Sequence, residues 1–205
     1  MSWRRVRAAL YDRLTEGAER AGLSERRRKL LSAARGRVLE VGAGTGLNVP
    51  HYPEVEELVF LEPDEAMADR LRARLAENAL AATVVAARAE SLPFEDATFD
   101  SVVVTAVLCT VQDVGRSLRE LRRVLEPGGR LLFAEHVRAD DPRLARWQDR
   151  LNRPWRLVAD GCNCNRKTLE AIEASGFEVQ EVERGELPKA PPIIRPFVVG
   201  RAVAP

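Results

Sequence analysis

The chain has 205 residues, 45% of them hydrophobic and 31% charged, with 32 lysines and arginines against 31 aspartates and glutamates. That balance fits one well-cored domain and argues against a dedicated nucleic-acid binder. Three cysteines do not make a disulfide framework, and no stretch approaches the ~20 apolar residues of a membrane span, so a soluble cytoplasmic enzyme with reduced thiols and no signal peptide is expected.

Residues 1–34 are helical in pattern and are set apart from a domain spanning 35–205. Trp3, Val6, Leu10 and Leu14 recur at helical spacing, with Arg4, Arg5, Arg7 and Arg13 mostly on the other side. Ser24 is placed to cap a second helix running through Leu30 and Leu31. Two readings stand for this segment. It is a lid whose arginines face water, or an amphipathic surface that makes peripheral contact with a membrane or admits a greasy substrate. From such a lid, Tyr11 would reach a cofactor mouth.

The first strand is Val38-Leu39-Glu40-Val41, and it runs into Gly42-Ala43-Gly44-Thr45-Gly46. A strand followed by a glycine turn opens a nucleotide site in a doubly wound α/β sheet. The dinucleotide spacing G-x-G-x-x-G is not met, because the third glycine falls one residue early. Glu40, just ahead of the turn, would repel a pyrophosphate. It suits a ligand carrying a positive ammonium and sulfonium, and S-adenosylmethionine (SAM) has both. Glu62, twenty residues after Gly42, ends the apolar run Leu58-Val59-Phe60-Leu61. An acid at that offset fits a ribose diol.

From Arg37 onward strands and helices alternate, the pattern of a largely parallel sheet. Asn48 to Pro53 reads as a loop or short helical turn. Asp64 caps a helix to about Asn78, and Val84-Val85 mark a third strand. A fourth strand covers Phe99 to Val104, followed by a helix over Ser117 to Leu125. Pro127-Gly128-Gly129 turns into a strand from Arg130 to Glu135. Trp147 to Asn165 reads as an irregular segment. A helix over Thr168 to Ser175 stops at Gly176, and strands at Phe177 to Glu183 and Phe197 to Val203 finish the chain.

In this order the pieces resemble the class I SAM-dependent methyltransferases. The resemblance rests on Glu40 to Gly46, Glu62, Glu90-Ser-Leu-Pro-Phe94 and Pro127 to Gly129. It implies a Rossmann-like, doubly wound seven-stranded sheet whose last strand is antiparallel. It also implies SAM as cofactor, S-adenosylhomocysteine as product, and cofactor contacts at Gly42, Ala43, Gly44, Gly46, Asn48, Pro63 and Thr105. Ala89 and Glu90 would flank the adenine, with Met67 packed on its face or kept in the core. A narrower set looks like the methyltransferase-like family 7 proteins, the membrane-associated thiol S-methyltransferases of animals, and their bacterial relatives. It comprises Asn48, Tyr52-Pro53, Val104 to Val111, Glu135-His136-Val137, Trp147-Gln148, Pro154-Trp155, Asp160-Gly161-Cys162 and Arg166. The animal proteins carry a hydrophobic N-terminal anchor, whereas this chain opens with an arginine-rich amphipathic segment.

Methyl transfer to a thiol needs alignment, exclusion of water and a thiolate. Of the two histidines, His136 ends the fifth strand on the edge where ligands bind, which makes it the candidate general base; a structural histidine is the alternative. His51 is expected at the surface. Asp160 would orient His136, accept a proton or cap a turn. Trp147 and Trp155 would wall the acceptor pocket, with Cys109 and Cys162 lining it. Cys162 and Cys164 lack zinc spacing, so no metal is expected, although paired thiols could bind trivalent arsenic. An alkyl thiol is the favoured small-molecule acceptor. A phospholipid amine, a quinone precursor, a secondary metabolite and arsenite are alternatives, as is a non-catalytic SAM-binding protein.

Overall fold

The structure, a computed structural model, describes residues 3–205, without the side chains of residues 3–5 and 7. Trp3, Arg4, Arg5 and Arg7 of the predicted stripe therefore fall outside the described side chains. The chain opens with helix α1 (Trp3–Ala18), passes through a widened turn over Glu19–Leu23, and continues as α2 (Ser24–Leu31). Gly22 bends the path at φ 116°, a region closed to most side chains. Ser24 begins α2 as expected but does not cap it. Its backbone is already helical, and its hydroxyl lies 3.3 Å from His51 Nε2.

Strands β1 (Arg37–Val41) and β2 (Glu57–Leu61) follow, then α3 (Glu65–Glu77) and β3 (Thr83–Val85). Asp64 caps α3 by accepting from Ala66 N and Met67 N at 2.9 and 3.3 Å. Next come β4 (Phe99–Thr105), α4 (Val114–Val124), β5 (Leu125–His136), α5 (Pro142–Val158), α6 (Thr168–Ala174), β6 (Glu178–Glu186) and β7 (Pro196–Val203). The expected Pro-Gly-Gly turn lies inside β5, where the pairing with β4 shifts register between Phe99 and Ser101.

The seven strands lie in the order β3-β2-β1-β4-β5-β7-β6, with β7 antiparallel to both neighbours. The fold is the Rossmann-like class I arrangement that the sequence implied. Alternating side chains divide the core between two faces. Leu39, Val41, Val102, Val104, Leu131 and Phe133 pack with Leu118 and Leu121 of α4 and Ile172 of α6. Val38, Phe60, Val103, Leu132 and Ala134 pack with Leu30 and Leu31 of α2 and Leu71 and Leu75 of α3. Each fully buried side chain of this kind stabilises the fold by roughly 1.5–3 kcal/mol. Strand order reverses between β1 and β4, so the cleft at their carboxyl ends is where a ligand enters.

The segment expected to be irregular is corrected: most of it is α5, a 17-residue helix. Asp141 accepts from Arg143 N and Leu144 N, and Pro142 occupies the first turn, where its missing N–H costs nothing.

Candidate active site

At the end of β1 the chain turns through Gly42, Gly44 and Gly46, all with positive φ. A Cβ on Gly42 would lie 2.6 Å from Val107 Cγ2, so that glycine is fixed by packing against the loop after β4. A Cβ on Gly44 would meet nothing within 4 Å. Gly44 therefore serves its φ of 58° and the open approach of a ligand to the backbone.

Glu40 is buried beneath this turn. Its Oε2 accepts from Tyr52 OH at 2.5 Å and its Oε1 from Asn48 Nδ2 at 3.1 Å. Asn48 Nδ2 also donates to Thr105 Oγ1, and Asn48 Oδ1 accepts from Arg27 Nη1 at 2.7 Å. Arg27, buried on α2, is held in turn by Glu19 at 2.9 Å. Burial raises the Glu40 carboxyl to about 7, against the opposing pull of Tyr52, Arg27 and Asn48.

A narrow cavity of about 60 Å³ lies over this network. Its floor is Glu40, Asn48 and the glycine turn, its far wall Thr105 and Ala106, and its roof Tyr11 and Arg27. A broader depression of about 410 Å³ near Asp96, Arg122 and Pro127 opens at the other end of the sheet, far from this chemistry. The small cavity is the relevant one, because it holds the convergent polar groups.

Helix α1 is pinned over the turn by one carboxylate. Asp12 accepts from Thr45 Oγ1 at 2.5 Å, from Arg70 Nη2 at 2.5 Å and from Arg74 Nη2 at 3.3 Å. Arg74 also reaches the Thr45 carbonyl at 2.9 Å. Tyr11, the residue before Asp12, lines the cavity, and burial raises its phenol pKa.

Glu62 follows β2. Its Oε2 accepts from Gly44 N and its Oε1 from Asp64 N, both at 2.8 Å. Each oxygen keeps a second lone pair for a ribose hydroxyl. Burial raises its pKa. Pro63 beside it is exposed, while Met67 and Ala89 are buried. Glu90 lies in the loop between β3 and β4. Its Oε1 accepts from Gln112 N at 2.9 Å, and Arg88 lies 3.7 Å from its other oxygen. Burial would raise its pKa, but backbone N–H donors outweigh that and hold it low. One bond ties that carboxylate to the chain entering α4 and leaves it further acceptor capacity.

His136 ends β5 and is buried, stacked edge-on against Phe197 at 5.5 Å. Its Nδ1 lies 2.9 Å from the Ile194 carbonyl. A carbonyl only accepts, so Nδ1 carries the proton and Nε2 keeps the basic lone pair. Burial lowers its pKa and keeps the ring neutral. Glu40 pairs with Val103 and Val103 with Leu132, so alternation puts Glu40 and His136 on the same sheet face. His51 is half-buried on Ser24 rather than at the surface.

Asp160 does not orient His136 through Nδ1, which the Ile194 carbonyl occupies. Trp147 is corrected as well: it is 56% exposed and walls no pocket. Trp155 is half-buried, and its indole N–H helps to lower the Cys162 pKa. Cys109 and Cys162 are buried free thiols set against each other. The contact raises the Cys109 pKa and lowers that of Cys162. Cys164 turns away toward Gln148 O and Asn152 Oδ1 at 3.7 and 3.6 Å, so the cysteine pair does not converge. Among the described residues no group of three His, Cys, Asp or Glu could hold a metal ion.

Sequence reasoning missed Arg27, Asp12, Thr45, Arg70 and Arg74. It also missed the role of Glu135, whose buried carboxylate accepts from Val107 N, Leu108 N and Cys109 N at 2.8, 2.9 and 3.3 Å. An acid at a strand end facing three consecutive amides was the available signal for it.

The donor set fits SAM. An acid beside a buried guanidinium matches the charges of an amino-acid zwitterion, Gly44 leaves room, and Glu62 offers acceptors for a diol. Residues 39–133 match the family model described as a methyltransferase domain. Human thiol S-methyltransferase TMT1A is 36% identical over 170 residues, covering 81% of this chain and 70% of the relative. Human thiol S-methyltransferase TMT1B is 36% identical over 181 residues, covering 85% and 74%. A SAM-dependent methyltransferase of Thermotoga maritima superposes with a TM-score of 0.71 at 24% identity, covering 96% of this chain and 95% of that one.

Proposed function

The chain belongs to the class I SAM-dependent methyltransferases, and from that premise we propose that its acceptor is a small alkyl thiol, deprotonated by His136. The cofactor supplies an electrophilic methyl group. Glu40, Asn48 and Arg27 would hold its amino-acid end, and Glu62 its ribose. Tyr11 and α1 close the cleft and exclude water.

The observation that carries the thiol reading is the state of His136. A neutral imidazole with Nδ1–H fixed on Ile194 O presents Nε2 as a base at the carboxyl end of β5. A thiol needs only that one proton removed to become a nucleophile. The human relatives, named for thiol S-methylation, support the same reading.

The test is turnover. Alkyl thiols, primary amines, phenols and arsenite are each incubated with the protein and SAM, and S-adenosylhomocysteine is measured. Turnover greatest with the alkyl thiols supports the reading. Turnover greatest with another class reassigns the acceptor.

A further inference from the structure

Helix α5 turns one face inward and leaves the other unpartnered. Inward, Ala145 and Gln148 are buried, with Gln148 donating to Val137 O and Ile193 O and accepting from Ala139 N. Outward, Trp147, Leu157 and Val158 are 56%, 87% and 80% exposed. At 3.6 residues per turn Trp147, Pro154 and Val158 share one stripe, with Leu157 beside it. Arg143 and Arg150 are interleaved with that stripe, Arg146 and Arg153 run along its edge, and all four are exposed. Arg156 adds a fifth exposed cation near the helix end. Asp149 is the helix's one acid, and Arg138 at 2.7 Å and Asn165 at 3.0 Å already engage it.

We infer that the outer face of α5 docks on the surface of an anionic lipid bilayer. Large apolar side chains at this exposure lose free energy in water and gain it at a headgroup boundary. The arginines interleaved with them match acidic headgroups and would attract the helix before the apolar groups insert. A second copy of the chain is disfavoured, because a two-fold contact through this face would set arginine against arginine. The face also adjoins the chemistry. On its inward side α5 is bonded through Gln148 to Val137 O, next to His136 at the carboxyl end of β5, so docking brings that edge of the sheet toward the lipid boundary, where an apolar acceptor concentrates. The surface is independent of the choice of acceptor, since its readout is lipid binding rather than turnover.

The experiment sediments the full chain with phosphatidylcholine vesicles, with and without phosphatidylserine, and compares L157D/V158D and R146E/R150E. All four side chains are exposed, so both variants should keep the wild-type melting temperature. The expected result is binding that requires phosphatidylserine and weakens as salt rises, with at least a tenfold loss in either variant. Reversal of each arginine should weaken binding more than about fivefold. Absence of wild-type sedimentation with either vesicle, or sedimentation unchanged in both variants, overturns the inference. A concentration-dependent dimer abolished by L157D/V158D would assign the face to a second copy and overturn it as well.

Discussion

Arg27 and Asn48 are joined by a 2.7 Å hydrogen bond from Nη1 to Oδ1, and this bond ties the N-terminal helices to the polar network around Glu40. Asn48 passes the order on, because its amide nitrogen donates to Glu40. A helix outside the sheet thus sets the environment of the buried Glu40 carboxylate.

Burial raises Glu40 to about 7, so at mildly acidic pH the cofactor-free protein holds it largely protonated. A cationic ammonium favours the ionised form, so SAM binding should release a proton in that range. Affinity should rise by up to about tenfold per pH unit below 7 and level off above it. Calorimetry in buffers of different ionisation enthalpy measures the proton released. Glu40→Gln should bind weakly, with no such dependence. A wild-type affinity flat across the range would contradict the role given to Glu40.

Asp12 holds α1 down through Thr45, Arg70 and Arg74. The cavity beneath is about 60 Å³, well under the 300 Å³ or more of an ordinary ligand pocket, so a cofactor held there would need α1 to lift for exchange. Asp12→Ala should speed S-adenosylhomocysteine dissociation by about tenfold, as read by stopped-flow fluorescence. An unchanged off-rate would mean that the cofactor enters by another route.

Glu62→Ala should weaken SAM by about 1.5–3 kcal/mol, the range for hydrogen bonds to a charged group. It also frees Gly44 N and Asp64 N, so its melting temperature should fall. Calorimetry on the folded variant isolates the binding loss. Unchanged affinity would place the ribose elsewhere.

Glu135 is raised by burial from 4.5 to about 7, despite its three backbone donors. The folded protein therefore binds this proton more tightly than the unfolded chain does. That contribution is fully present below about 4.5 and is lost as pH rises to 7. Wild-type stability should decline over the window more steeply than that of Glu135→Gln, which does not titrate. Denaturant titrations at several pH values compare the slopes, and equal slopes would refute the assignment.

The glycine turn, Glu40, Glu62 and the Asp64 cap were legible because each depends on residue type at a short, fixed offset. Periodicity gave the strands for the same reason. Helix α5 was not, since the stretch from Trp147 is rich in Trp, Arg and Asn, and the Asp141 cap and Pro142 that start the helix lie ahead of it. Asp12 could not be found by pattern: its partner Arg70 lies 58 residues away and meets it only once α1 crosses α3.

The most direct measurement is the pH dependence of kcat/KM for one alkyl thiol, on wild type and His136→Ala. If His136 takes the thiol proton, the variant should lose ~10²–10⁴ near neutral pH. The deficit should shrink as pH approaches the acceptor's own pKa, where solution supplies thiolate, and SAM affinity should barely change. A deficit that stays constant across pH, or a variant as active as wild type, would contradict the account.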